Sequence, residues 1–134
     1  MIAVDTSAIV AIVFAEAERE AFARVIEECN KALVSSVSML ETRMVVQGRR
    51  GQRAVVLLDD LLALPHFEPV PPTAADLDAA YGAFIAFGKG SGHPANLNFG
   101  DLFSYALAKV RNLPLLYKGG DFAHTDLTAA LESR

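Results

Sequence analysis

Ile2-Ala3-Val4-Asp5-Thr6-Ser7-Ala8-Ile9-Val10-Ala11-Ile12-Val13 opens the chain, and its character changes at Asp5. Ile2 to Val4 is short, apolar and β-biased. Asp5-Thr6-Ser7 supplies a turn and an N-cap, and Ala8 to Val13 then reads as a helix. A strand that passes through a cap into a helix is the first half of a βα unit. The same alternation recurs downstream. Glu16 to Asn30 sets Ala17, Ala21, Phe22, Val25, Ile26 and Cys29 at helical spacing, an amphipathic surface helix. Leu33-Val34-Ser35 is a second strand, and Ser38-x-x-Glu41 has the form of a capping box opening a helix that breaks at Gln47 to Gly51. Gln52 to Leu64 is helical until Pro65 stops it. Phe67 to Val70 is a third strand, which Pro69 assigns to an edge. Thr73-x-x-Asp76 launches a helix over Leu77 to Phe87, with Leu77, Ala80, Tyr81, Phe84 and Ile85 on one face. Gly88 to Pro94 is the longest loop signal. A further helix follows Asn98-Phe99-Gly100-Asp101 and closes at Asn112, and Leu113 to Tyr117 is a fourth strand before the turn Lys118-Gly119-Gly120-Asp121.

Strands separated by helices of this length require right-handed crossovers and a parallel sheet covered on both faces. The expected fold is α/β: a three-layer α/β/α sandwich with a mainly parallel sheet of four to five strands, one domain over residues 1–134. With 134 residues, 52% apolar and 21% charged, such a domain buries a real core without disulfides or a structural metal. Disorder is excluded as the main state. No apolar run approaches the roughly 18 residues of a membrane helix, and no basic stretch precedes a long apolar one, so the reading is cytoplasmic with no membrane partner. Cys29, the single cysteine, lies beside Glu27 and Glu28 and reads as structural. The net charge of −4 argues against a wholly basic nucleic-acid surface.

The connectivity locates the chemistry. Asp5 follows the first strand and Asp121 the fourth, both at the carboxyl edge of the sheet. Glu41 and Asp101 are expected in the first turns of helices that start there. Four carboxylates from distant parts of the chain therefore converge where open α/β sheets bind ligands. Ionised together they repel unless a cation lies among them, and all-oxygen donors select Mg2+ or Mn2+. Taken singly, each acid also has a bland role as a helix or turn cap. Gly100 beside Asp101, and Gly119-Gly120 before Asp121, allow close backbone approach.

At these residues the chain resembles the PIN-domain family, specifically the VapC-type toxin ribonucleases of bacterial toxin–antitoxin pairs. The resemblance rests on Ile2 to Ala8, on Ser38-Met39-Leu40-Glu41, on the run from His93 to Asp101, and on Leu115 to Phe122. It implies a metal-binding and catalytic quartet of Asp5, Glu41, Asp101 and Asp121, with Thr6 or Ser7 as a hydroxyl lining the site. Asp5, Glu41 and Asp101 would hold the principal ion, and Asp121 would orient water or complete the site. Gly120 stands where relatives often carry a polar or acidic residue, which removes an accessory ligand from that turn. The implied activity is Mg2+- or Mn2+-dependent hydrolysis of RNA phosphodiesters, leaving 5′-phosphate and 3′-hydroxyl ends, in a homodimer neutralised by a cognate antitoxin.

A polyanion needs basic contacts. Candidates are Lys118, Lys89, His93, Arg43 and the cluster Arg49, Arg50 and Arg53, set against solvated-surface roles for the arginines and a loop-ordering role for His93. Phe14, Phe84, Phe87 and Phe103 read as core rather than as base-stacking platforms. Val55-Val56-Leu57-Leu58 cannot all face one core, so part of that helix is expected to meet another chain, the antitoxin's helix or a second copy. A phosphoacceptor receiver is excluded because Thr6-Ser7 replaces the second acid after strand 1 and Val70-Pro71-Pro72 follows strand 3. A haloacid-dehalogenase-like phosphatase needs an acid at Ser7. The alternative carried forward is a catalytically silent domain of the same fold that acts by protein binding.

Overall fold

The computed structural model describes residues 1–131. Along the chain lie β1 (Ile2–Val4), α1 (Thr6–Val13), α2 (Arg19–Glu28), β2 (Ala32–Ser35), α3 (Ser36–Arg50), α4 (Gln52–Leu62), β3 (Phe67–Val70), α5 (Ala74–Phe87), α6 (Phe99–Arg111), β4 (Leu115–Leu116) and a 3-10 turn over Phe122–His124. The four strands form one sheet in the order β3-β2-β1-β4, every pairing parallel. Pro69 lies on β3, an edge strand as its missing N–H requires. The edge beyond β4 is extended by a parallel bridge from Leu115 to Ala129.

Side-chain alternation along these short strands builds the layers. Ile2, Val4, Ala32, Val34 and Leu116 point into the core shared with α1, α2, α3 and α4. Ala3, Leu33 and Leu115 point the other way, to Ala80, Ala83, Leu102, Tyr105 and Ala106 of α5 and α6. The order reverses at β1: the chain steps outward through β2 to β3, then returns to the far side of β1 as β4. With right-handed crossovers this places α1–α4 on one face and α5–α6 on the other, and it opens a crevice between the carboxyl ends of β1 and β4.

Three expectations need correction. Ser38-x-x-Glu41 is not a cap. Ser35, the last residue of β2, caps α3 by accepting from Val37 N, so Ser38 is interior and Glu41 lies in the second turn. The helix also continues through Arg49 and Arg50 to Gly51, whose φ of 81° ends it. Finally, α5 turns its large apolar side chains outward. Leu77, Tyr81, Phe84 and Ile85 are exposed, while Ala80 and Ala83 are buried in the core with α6. The reason is close packing. Small residues let α5 approach α6, and the helices are pinned end to end by the Arg111–Asp76 ion pair (2.8 Å), with Asp76 buried and also completing the Thr73 capping box. The Arg111 guanidinium and the Thr73 amide outweigh burial and hold Asp76 below its ordinary carboxylate range. At the opposite end Gly88 bridges to Leu97, so the 88–98 loop lies at the Asp101 end of α6. The four consecutive residues of α4 divide as their crowding predicts, with Val55 and Leu58 buried and Val56 and Leu57 exposed. Cys29 donates to the Ile26 carbonyl at 3.1 Å, and burial pushes its thiol pKa up, consistent with a structural role.

Candidate active site

Asp5 is the residue after β1 and the N-cap of α1. Its Oδ2 accepts from the Ser7 amide at 3.0 Å and from the Ser7 hydroxyl at 2.7 Å. Among the described residues Oδ1 accepts no hydrogen bond. The Ser7 hydroxyl in turn accepts from the Lys118 amide at 2.9 Å, and Asp5 N donates to Leu116 O at 2.9 Å. These two bonds sew the crevice between β1 and β4 together at its base. From α3, Glu41 enters with Oε1 accepting from the Thr6 hydroxyl at 2.8 Å. Its other oxygen lies over the backbone of Gly100, where an added Cβ would sit 1.9 Å from Oε2. Asp101 is the third residue of α6 and forms a reciprocal capping box with Asn98: each backbone N–H donates to the other's side chain at 2.9 Å. Asp5, Thr6, Ser7, Glu41, Asn98, Asp101, Arg49, Lys118 and Glu16 line one open cleft at the switch point.

Charge is concentrated there. Burial, together with the fields of Asp5, Asp121 and Glu41, pushes the Asp101 carboxyl from 3.8 up to about 7, against the opposing Asn98 amide. Asp121 is exposed at the start of the 3-10 turn; its field reaches Asp101, but its side chain is not part of the cleft wall. Among the described residues no three acidic, histidine or cysteine side chains are already gathered as a metal cage; Glu41 is held by Thr6 and Asp101 by its own cap. The donor chemistry nonetheless fits a hard divalent ion: every donor is oxygen, Asp5 has a free lone-pair face, and three of these four acids line one cleft with no cation close enough to relieve Asp101.

A family model described as PIN domain matches residues 2–127. The chain belongs to the PIN-domain family. Among its relatives, ribonuclease VapC28 of Mycobacterium tuberculosis is 43% identical over 131 residues, 98% of each chain. Of the solved structures, VapC20 of Mycobacterium tuberculosis, a sarcin–ricin loop cleaving toxin, superposes with a TM-score of 0.77 at 20% identity, over 96% of this chain and 97% of that one. A toxin–antitoxin complex from Klebsiella pneumoniae matches with a TM-score of 0.68 at 16% identity, over 99% and 100%. The VapC-type resemblance legible in the sequence is borne out, as is the three-layer α/β fold.

The basic residues expected to contact a polyanion separate by place: cleft, α3–α4 side and the 88–98 loop. Arg49 lines the cleft and has no ion-pair partner among the described residues. Lys118 also lines it, but its ammonium lies 3.3 Å from both Glu16 and Glu18. Arg43 is not at the cleft: it points across the α3–α4 hairpin, where its guanidinium grips Asp59 in bidentate fashion at 3.1 and 2.8 Å. Arg50 lies over the Phe14 ring at 4.6 Å, and Arg53 is exposed on α4. Lys89 and His93 belong to the 88–98 loop and do not line the cleft. His93 orders that loop, accepting from Ala95 N at 3.1 Å and packing edge-on against Phe87. Asn98 is the residue that sequence reasoning quoted without assigning; its three-residue spacing from Asp101 was the available signal.

The raised Asp101 pKa predicts a pH-dependent stability. Without metal, the folded chain keeps Asp101 protonated up to about pH 7 while the unfolded chain ionises near 4. The unfolded state therefore binds fewer protons between these values, and stability falls as pH rises through that window. Asp101→Asn removes this loss. In EDTA its melting temperature should exceed that of the wild type by a margin that grows from pH 5 through pH 7 and levels off above the folded pKa of about 7. After discounting for solvent access the growth is on the order of 1–2 kcal/mol. A margin independent of pH, measured by thermal denaturation, would refute the assignment.

Proposed function

We propose that this PIN domain is a VapC-type endoribonuclease toxin, dependent on Mg2+ or Mn2+ and acting on RNA in the cytoplasm. The observation that carries the reading is the placement of Asp5, Glu41 and Asp101 around one cleft at the switch point, with the proton affinity of Asp101 raised by burial and by the neighbouring acids. The family and the 43% identity to a ribonuclease over the full length support it, against a catalytically silent domain. When bound, a divalent ion supplies hydroxide near neutral pH and stabilises charge on phosphate oxygens. The chain's own part is positional. Ser7 fixes one oxygen of Asp5 and leaves the other free for the ion, Thr6 holds Glu41, and Asn98 holds Asp101 at the helix start. Arg49 provides the free positive charge for a phosphate beside the cleft, and Lys118 does so only when it leaves Glu16 and Glu18. Single-stranded RNA incubated with the protein should be cleaved with Mg2+ or Mn2+, left intact in EDTA, and cleaved again when metal is restored. Cleavage that survives EDTA overturns the reading.

Two surfaces suit the implied partners. Leu77, Tyr81, Phe84 and Ile85 of α5 join Phe99 and Phe103 of α6 in an apolar patch that we assign to a second copy of this chain. Across the molecule, Leu40 and Met44 of α3 and Val56 and Leu57 of α4 are exposed on the hairpin, a face suited to an apolar helix of an antitoxin; one structural neighbour is a toxin–antitoxin complex. The described residues contain no helix long and apolar enough to cross a membrane. Light scattering should give twice the monomer mass for the wild type and the monomer mass for a Tyr81→Lys/Phe99→Lys variant that still binds a cognate antitoxin. A double variant that remains dimeric refutes the assignment of the α5–α6 patch.

A further inference from the structure

Beneath the cleft lies a set of buried hydroxyls that the proposed chemistry does not use directly. Thr42, fully buried one residue beyond Glu41, places Oγ1 2.7 Å from Ser38 O and 3.1 Å from Thr6 Oγ1. Thr6 places its own Oγ1 2.8 Å from Glu41 Oε1 and 3.3 Å from Ser38 O. Each hydroxyl has one proton, so each must choose. Ser38 O is a carbonyl inside α3 and already accepts the helical N–H four residues on, from Thr42 itself. If the Thr42 proton goes to Ser38 O, that carbonyl's second lone pair is taken and the Thr6 proton has only Glu41 left. If it goes to Thr6 Oγ1, Thr6 becomes an acceptor on that side and a stronger donor toward Glu41. The distances favour the first placement, since Thr42 Oγ1 is nearer Ser38 O (2.7 Å) than Thr6 Oγ1 (3.1 Å), and it leaves Glu41 Oε1, at 2.8 Å, as the acceptor of the Thr6 hydroxyl.

We infer that Thr42 is a positioning residue: it commits the Thr6 hydroxyl to Glu41 and so holds that carboxylate against Gly100, ready for a divalent cation. Removing the Thr42 hydroxyl frees Ser38 O as a competing acceptor for Thr6, and Glu41 loses its fixed orientation. Thr42 itself touches neither ion nor RNA. This inference rests on the metal-dependent reading above.

The test is calorimetric titration of Mn2+ into the intact protein, independent of RNA cleavage, for the wild type, Thr42→Val, Thr42→Ser and Thr6→Val. Loss of a group that orients a metal ligand costs about 10- to 100-fold in affinity. Thr42→Val, one bond further out, should bind Mn2+ about 10-fold more weakly and Thr6→Val at least as weakly. Thr42→Ser should stay within about twofold of the wild type, because it keeps the hydroxyl. At saturating Mn2+ the KM for RNA should be unchanged in Thr42→Val, a pattern that general loosening of the fold would not give. Should Thr42→Val not fold in EDTA, Thr42→Ala against Thr42→Ser asks the same question of the hydroxyl. A Thr42→Val or Thr42→Ala chain that binds Mn2+ as the wild type does overturns this inference alone, whereas a wild type that binds no Mn2+ overturns the metal reading and this inference with it.

Discussion

Asp5→Asn should abolish RNA cleavage while the protein stays folded. Asparagine caps a helix as well as aspartate, and its side-chain oxygen can still accept from the Ser7 amide that Asp5 engages at 3.0 Å. The buried position therefore keeps its shape and its local hydrogen bond. What it loses is the charge. That charge raises the proton affinity of Asp101, so in EDTA the variant should melt at or slightly above the wild-type temperature. With Mg2+ present the order should reverse, because a ligand that binds only the folded state stabilises it by an amount that grows with the logarithm of its affinity. The expected loss in kcat/KM is on the order of 10⁴, the scale on which loss of one catalytic aspartate acts. The pair of measurements is what discriminates. An Asp5→Asn protein that cleaves RNA near the wild-type rate removes Asp5 from the machinery. One that is inactive because it is unfolded would show no cooperative melt in EDTA.

The convergence of the acids was legible in the sequence because it follows from connectivity. A strand, a cap and a helix at Ile2 to Val13, repeated with crossovers, put the residue after β1 and the first turn of α6 at one edge whatever the details of packing. Asn98-x-x-Asp101 and Thr73-x-x-Asp76 act locally, and local chemistry decided them. The failure at Ser38-x-x-Glu41 has the same origin: Ser35, Ser36 and Ser38 compete to start one helix, and the choice fell to Ser35 because β2 runs into α3 without a loop. Glu41 still reaches the cleft, one turn deeper, from the second turn. The orientation of α5 was not legible. Leu77, Tyr81 and Phe84 have the spacing of a buried stripe, but the core takes Ala80 and Ala83 because α6 packs closely on α5, a demand set by another part of the chain. The same holds for the cations. Nothing near Arg43 in sequence shows that Asp59, across the hairpin, holds it, or that Glu16 and Glu18 hold Lys118.

Gly100→Ala separates stability from activity most sharply. Gly100 is the second residue of α6 and has no positive φ, so helix propensity alone favours alanine there by up to about 1 kcal/mol. The opposing term is steric. A Cβ at this position would lie 1.9 Å from Glu41 Oε2 and 2.5 Å from Glu41 Cδ. Those atoms are the far end of a flexible side chain, and Glu41 borders an open cleft, so the carboxylate can swing aside at small cost to the fold. It cannot do so and keep its 2.8 Å bond from Thr6. The variant should therefore melt in EDTA within a few degrees of the wild type, on the scale of about 1 kcal/mol. Mn2+ affinity and RNA cleavage should each fall by about 100-fold, the upper range for displacing a supporting contact of a metal ligand. The second-site test follows from geometry: Glu41→Asp in the Gly100→Ala background withdraws the carboxylate by one methylene from the new Cβ and should recover part of the Mn2+ affinity, although Glu41→Asp alone weakens it. If Gly100→Ala cleaves RNA as the wild type does, the position of Glu41 over that glycine has no part in catalysis.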